Sequence, residues 1–133
     1  MVLFSACSFE QDTRFEELPP GETGIEFVNS IQNTPEFNIQ NYLYFYDGGG
    51  VGAGDMDSDG LPDLFFISNT GDHKLYRNLG GFRFEDVTEQ SGIAGEEGSW
   101  STGVSIADVN ADGNLDIYIS RVNYLVKSGA NQL

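Results

Sequence analysis

Four aspartates lie within nine residues in the stretch DMDSDGLPD, residues 55–63, where their like charges should repel each other. The first three alternate along the chain, a glycine follows at the sixth position, and the fourth aspartate closes the run. Calcium binds six to eight oxygen atoms at about 2.3–2.6 Å, and the first, third, fifth and ninth side chains of a tight loop can converge on one such ion. We interpret the stretch as a calcium loop; an acidic turn in water is the alternative, since Asp and Gly are common turn residues.

A second copy of this spacing, DVNADGNLD, spans residues 108–116, with an asparagine at its third position. Corresponding residues of the two stretches are 53 positions apart, and the flanking residues keep the same register: DLFFIS follows the first copy and DIYIS follows the second. Two copies in one register indicate an internal repeat, which is typical of stacked structural units.

Each unit reads as a set of short β-strands. The apolar runs after both loops are rich in β-branched and aromatic residues, and HKLYRNL and FRFEDVTE read as two further strands around a glycine turn. One repeat then holds about four antiparallel strands, the content of a propeller blade, and no segment has a convincing helical pattern. An EF-hand is excluded, because it needs flanking helices and a glutamate at position twelve, where this chain has Phe66 and Ile119.

These motifs resemble the FG-GAP or VCBS repeats of seven-bladed, integrin-α-like β-propellers, and TEQSGI after KLYRN is similar to the ASPIC/UnbV group of secreted proteins. The resemblance implies two calcium sites. The implied ligands of the first are Asp55, Asp57, Asp59, the Leu61 carbonyl and Asp63, and those of the second are Asp108, Asn110, Asp112, the Asn114 carbonyl and Asp116.

A propeller of seven such blades is much longer than 133 residues, so we expect an all-β, incomplete propeller: the front piece of a longer protein, with one full blade and part of a second. The expected divisions are a signal remnant at 1–7, an acidic tether at 8–22, N-terminal strands at 23–47, a first repeat at 48–100 and an incomplete second repeat at 101–133. A compact β-sandwich is the alternative that the length allows.

The N-terminal sequence MVLFSAC resembles the end of a bacterial lipoprotein signal, with small residues directly before the only cysteine, Cys7. We expect acyl chains on Cys7 to anchor an exported protein to a bacterial surface, each buried methylene contributing about 0.8 kcal/mol. A charged start and most of an apolar core are missing, so a free cysteine near the terminus is the alternative.

The net charge of −15, from six basic and 21 acidic residues, makes nucleic acid an improbable partner, because phosphate binding needs clustered Lys and Arg. A single cysteine cannot form a disulfide framework within the chain. Calcium can take over that stabilising role outside the cell, where even weak sites are filled.

Other motifs favour structural roles. GGGVGA, residues 48–53, matches part of a dinucleotide fingerprint but precedes a calcium loop rather than a helix, so close strand packing is the preferred interpretation. His73 lies in a polar turn and is predicted to be at the surface. Four aromatic residues are predicted to pack between blades rather than to stack on sugars: Tyr76, Phe82, Phe84 and Trp100.

Two functions fit this sequence. The first is a non-catalytic surface module that calcium makes rigid and that mediates adhesion or recognises a protein or glycan, with further blades of the same protein beside it. The second is the scaffold of a polysaccharide-active enzyme whose active site lies outside this chain. We expect no enzyme, because no acid and base pair outside the loops forms a catalytic constellation.

Overall fold

The computed structural model describes residues 14–93, 95, 98–123 and 131–133. The six strands are β1 (Val51–Gly54), β2 (Asp63–Phe66), β3 (Lys74–Asn78), β4 (Phe84–Asp86), β5 (Ser101–Ala107) and β6 (Asp116–Arg121). Two helices of one turn each are α1 (Pro20–Thr23) and α2 (Thr88–Ser91). None of the helices in these ranges is long and apolar enough to cross a membrane.

The first four strands form one antiparallel sheet in the order β1-β2-β3-β4, which is a complete four-stranded blade. Alternate residues of β2 are buried, so one face of the sheet packs inward, as its apolar sequence predicts. The turn between β3 and β4 contains Gly80 and Gly81, both with positive φ, as expected for a tight connection. The predicted strands of the first repeat are therefore confirmed, except at the end of FRFEDVTE. There β4 ends at Asp86, and Thr88 and Glu89 begin the one-turn helix α2 instead of continuing the strand.

The last two strands form a second antiparallel sheet, which is part of a second blade. Gly54 pairs with Asp63 at the mouth of the first loop, and Ala107 pairs with Asp116 at the mouth of the second. These two pairs are 53 residues apart, so the internal repeat and the all-β, incomplete propeller are both confirmed. A bridge between Ile119 and Gln132 extends the second sheet at the far edge of β6.

The two blades pack face to face through an apolar core. Its fully buried members come from both sheets: Phe65, Ile67, Leu75 and Ile119. Each large apolar side chain buried in this way contributes about 1.5–3 kcal/mol. In the glycine-rich stretch, a Cβ atom on Gly49 would lie 2.0 Å from the backbone oxygen of Ile67, so the close approach of these two backbone segments requires glycine there. A Cβ atom on Gly52 would lie 2.6 Å from Cδ1 of Ile106 in β5. The packing interpretation of the glycine-rich stretch is confirmed.

The N-terminal strands expected at 23–47 are not formed; the first strand begins at Val51. Residues 24–31 form no helix or strand and lie on the first blade, where Phe27 stacks on Phe66 with ring centroids 5.1 Å apart. Residues 34–47 form turns, because Asn38 and Asn41 side chains bond to the nearby backbone and satisfy groups that a strand would pair. Phe37 and Phe45 of this segment pack on Trp100 in a second buried cluster.

Candidate metal centre

The first acidic loop connects β1 to β2 and folds around the carboxylate of Asp55. The backbone N–H of Asp59 donates to Asp55 Oδ1 and the N–H of Gly60 donates to Asp55 Oδ2, both at 3.0 Å. Ser58 and Gly60 adopt positive φ values of 62° and 89°, which turn successive N–H groups inward. Hydrogen bonds to the carboxylate of Asp55, the first candidate ligand, therefore hold the backbone of the loop in this conformation.

Asp63, the last residue of the loop, is the most buried of its four aspartates, with an exposed fraction of 3%. Its Oδ2 accepts a hydrogen bond from the Met56 N–H at 3.0 Å, and its Oδ1 accepts one from the Asn78 N–H at 2.8 Å. Burial of a charged carboxylate is costly unless hydrogen bonds or a cation compensate it. These two N–H donors provide part of that compensation.

The carboxylates of Asp55, Asp57 and Asp63 each place one oxygen within 4.8 Å of the others. Two ligands on opposite sides of a calcium ion are about 5 Å apart, given Ca–O distances of about 2.3–2.6 Å. Three oxygens at this separation can therefore surround a single ion, so the donor set fits calcium. Within the ranges that the structure describes, no other group of three acidic or His side chains meets this limit.

Two predicted ligands of the first loop lie outside this group of three. Asp59 uses Oδ1 to accept a hydrogen bond from the Leu61 N–H at 2.8 Å. That bond orders the end of the loop next to Gly60. The coordination of an ion by Asp59 and by the Leu61 carbonyl stays a prediction.

The second loop connects β5 to β6 and repeats the backbone of the first. The N–H groups of Asp112 and Gly113 donate to Asp108 at 3.1 and 2.9 Å, and the Val109 N–H donates to Asp116 at 3.0 Å. Ala111 and Gly113 have φ values of 61° and 91°, matching the residues 53 positions earlier. Each of these bonds has its counterpart in the first loop.

The side chains of the second loop are more exposed, and they accept hydrogen bonds mainly from the backbone N–H groups of the loop. Asn110 donates through Nδ2 to Asp112 Oδ2 at 3.1 Å, and Asn114 donates through its backbone N–H to Asp112 Oδ1 at 2.8 Å. Backbone N–H groups, led by that of Gly113, lower the pKa of Asp108, and the Asn114 N–H lowers the pKa of Asp112. Both carboxylates are therefore ionised at neutral pH and able to bind a cation.

Comparison with protein families finds that residues 55–119 match the model of the FG-GAP-like repeat. This match begins at the first aspartate of the first loop and ends in β6, so it includes both loops. The chain contains an FG-GAP-like repeat. No curated protein and no solved structure matches it. Membership of the ASPIC/UnbV group stays a prediction.

The prediction that His73 lies at the surface is wrong: its side chain is 2% exposed. The turn after β2 folds back between the blades, so that His73 Nδ1 accepts a hydrogen bond from the Ser68 N–H at 3.2 Å and Nε2 lies 3.5 Å from Ser101 Oγ at the start of β5. Burial, followed by the charge of Arg121, lowers the pKa of His73. The histidine therefore bridges the two blades as a neutral ring.

The four aromatic residues have different environments. Tyr76 and Trp100 are buried, but against the segment before β1 rather than between the blades: Trp100 packs on Phe37 and Phe45, and the Tyr76 hydroxyl accepts a hydrogen bond from the Glu26 N–H. Phe84 is half-buried, whereas Phe82 is 72% exposed in the turn after β3, so the packing prediction is wrong for Phe82. A positive φ of 58° at Phe82 directs the turn away from the sheet. Cys7 lies outside the described residues, and its lipidation stays a prediction.

Sequence reasoning missed Asn78, which is outside both acidic stretches but reaches the metal centre through the sheet. Asn78 is the last residue of β3, and pairing of β2 with β3 brings its N–H next to Asp63. The available signal was its place in KLYRN directly before a glycine turn. That signal indicates a strand end, but it does not indicate which residue the strand end contacts.

Proposed function

We propose that this chain is a calcium-binding, non-enzymatic module of an exported or surface-anchored protein, in which the bound ions stiffen the blades for adhesion or recognition. The observation that carries the proposal is the convergence of Asp55, Asp57 and Asp63 within 4.8 Å, at a loop whose backbone recurs 53 residues later. Calcium, when bound, supplies charge compensation and cross-links the loop.

Calcium suits these loops better than magnesium does. Magnesium requires near-ideal octahedral geometry at about 2.0–2.1 Å and usually keeps several waters, whereas calcium accepts irregular sets of carboxylate and carbonyl oxygens. The first loop offers carboxylates of different burial, and the second replaces one carboxylate with the Asn110 amide. We propose two sites with the ligands that the family resemblance implies.

The ions would act on the structure of the blade rather than on a substrate. Each loop joins the first two strands of its unit, so an ion there fixes the β1–β2 and β5–β6 connections. Two calcium ions would change the net charge from −15 to −11. The surface would remain acidic, which favours solubility and disfavours nucleic acid as a partner.

A cleft of about 1020 Å³ beside β3 and α2 provides a concave surface for a ligand. The polar side chains that line it include Asp72, Thr88, Glu89 and Gln90. Such groups suit hydrogen bonding to a glycan or to a peptide. We propose that the partner of the module is a protein or glycan that binds at this cleft, with further blades of the same protein alongside.

The proposed location is the bacterial surface or the extracellular space, with Cys7 as a lipid anchor. Weak calcium sites of about 10⁻⁴–10⁻³ M are typical of extracellular modules and are filled there. A polysaccharide-active enzyme is the alternative, and finding catalytic side chains in flanking sequence would favour it.

Titration of the chelator-treated chain with calcium, followed by calorimetry and thermal unfolding, tests the metal proposal. We expect two binding events and a rise in melting temperature, because calcium at one hundred times its Kd adds about 2.7 kcal/mol per site. Asp55→Asn should remove one event, whereas Asp47→Asn, an exposed carboxylate outside both loops, should remove none. Absence of heat and of a thermal shift in the wild type would contradict calcium binding.

The recognition proposal is tested on a glycan array and a peptide array with the calcium-loaded chain. We expect binding that chelator abolishes and that Gln90→Trp, which fills the cleft, reduces at least tenfold. Leu43→Trp, at an exposed position distant in sequence, serves as the control for a new surface tryptophan. Binding that survives both chelator and Gln90→Trp would contradict the role of the cleft.

A further inference from the structure

Asp63 is held in place from outside its own loop. The donor to its Oδ1 is the backbone N–H of Asn78, at the end of a different strand, at 2.8 Å. With the Met56 N–H on Oδ2, both carboxylate oxygens are oriented before any ion binds. A ligand that is already oriented loses less conformational freedom on binding.

The Asn78 side chain secures this arrangement on both sides. Its Nδ2 donates to the carbonyl of Pro62, the residue before Asp63, at 2.8 Å. Its Oδ1 accepts a hydrogen bond from the Gly80 N–H at 2.9 Å, which fixes the turn that follows β3. One side chain thus ties the end of the acidic loop to the end of the third strand.

The second loop also has an asparagine at the matching position, but that asparagine makes different contacts. Asn131, 53 residues after Asn78, accepts a hydrogen bond from the Arg121 N–H at 2.9 Å and donates to the Tyr118 hydroxyl at 2.6 Å. Asp116, the counterpart of Asp63, is only half-buried. Among the described residues, Asp116 receives a hydrogen bond from Val109 but none from a third strand.

We propose that Asn78 is a positioning residue that makes the loop at 55–63 the tighter of two calcium sites. The inference rests on the proposed function, since it concerns the affinity of the same loops. Asn78 does not coordinate the ion; it orients Asp63, which does. Loss of a direct outer-shell partner typically lowers metal affinity about 10–100-fold. The Asn78 side chain acts one step further out, because it holds in place the backbone N–H that donates to Asp63, so its loss should have an effect at or below the lower end of this range.

The test is calcium titration of the full chain by calorimetry, with terbium luminescence as a second readout. The wild type should show two sites whose Kd values differ at least tenfold, and Asp55→Asn should remove the tighter site while Asp108→Asn removes the weaker. Asn78→Ala keeps the backbone N–H that donates to Asp63 and removes the two side-chain bonds that hold it in place. It should raise the Kd of the tighter site by up to about tenfold and leave the weaker site unchanged. Asn131→Ala, the matched control, should leave the tighter site unchanged.

Asn78→Ser replaces the amide with a shorter hydroxyl that can still accept from the Gly80 N–H, so it should keep part of the support and give a Kd between those of the wild type and Asn78→Ala. Its purpose is to preserve the test if Asn78→Ala unfolds, which loss of the weaker site would reveal. Three results would each overturn the inference. The two wild-type sites could have equal affinities, Asp108→Asn could remove the tighter site, or the Asn78 variants could leave its Kd unchanged. Absence of binding at either loop would overturn the proposed function with it.

Discussion

The loop at 55–63 lies within a four-stranded sheet, whereas the loop at 108–116 joins a sheet of two strands. The two loops have the same turns and the same hydrogen bonds to their first aspartate, yet Asp63 is buried and Asp116 is half-buried. Local sequence is therefore sufficient to fold the loop backbone. The burial and orientation of the last ligand depend on the third strand of the blade.

The largest difference that we expect between the repeats is in the loss of stability when a core residue is replaced by alanine. Phe65 is fully buried between the blades, and Tyr118, 53 residues later, is 36% exposed. Phe65→Ala should lower the free energy of unfolding by about 3–5 kcal/mol, because it leaves a cavity in the shared core. Tyr118→Ala should lower it by about 1 kcal/mol or less.

Urea denaturation with chelator present measures both changes. If the two substitutions lowered the free energy of unfolding by the same amount, the described packing of the first blade on the second would be wrong.

We expect the next largest difference in stability when the last aspartate of each loop is replaced by alanine in the absence of calcium. Asp63→Ala leaves the buried N–H groups of Met56 and Asn78 without their acceptor, and each such loss costs about 1–3 kcal/mol. Asp116→Ala affects one N–H, that of Val109, in a more exposed place, so its cost should be smaller. Thermal unfolding of the calcium-free variants compares them.

A gain in stability in Asp63→Ala would show that repulsion among the three clustered carboxylates exceeds the strength of these hydrogen bonds. The same gain should then be absent in Asp116→Ala, whose loop has a neutral amide at its third position.

The smallest expected effect concerns His73, the only histidine of the chain, which links the first blade to the second. Burial and Arg121 lower its pKa in the folded state, and Asp72 opposes them. The unfolded chain, with an ordinary pKa of about 6.5, then binds the proton more tightly than the folded chain does. Stability should therefore be full above this pH and should fall as pH decreases through the folded-state pKa.

Urea denaturation between about pH 8 and pH 5.5 measures this dependence, in a range where ordinary carboxylates remain ionised. His73→Gln should flatten the profile. A wild-type profile already as flat as that of the variant would contradict the bridging role of the neutral ring.

Much of the fold could be predicted from the sequence, because the repeat supplies two copies of the acidic loop and of the strands that flank it. The loops, the strands that flank them and the antiparallel pairing follow from alternating apolar residues and glycine turns that agree in both copies. The segment 23–47 has no second copy. Its apolar residues suggested strands, but asparagine side chains bonded to the local backbone instead.

The chemistry of the site was less predictable than its position. The spacing of aspartates indicated which residues face inward, and three of them do converge. The contact of Asn78 with Asp63 depends on the pairing of two strands, and the burial of His73 depends on packing between blades. Both are tertiary contacts between residues that no local pattern connects.

The glycine at position 52 also makes the core of the second blade depend on the first. A Cβ atom there would lie 2.6 Å from Cδ1 of Ile106 and 3.3 Å from Cγ1 of Val104. The space that these two β5 side chains occupy therefore exists only because β1 has no side chain at this position. A larger residue at position 52 would act on the second blade, by forcing Ile106 into another rotamer.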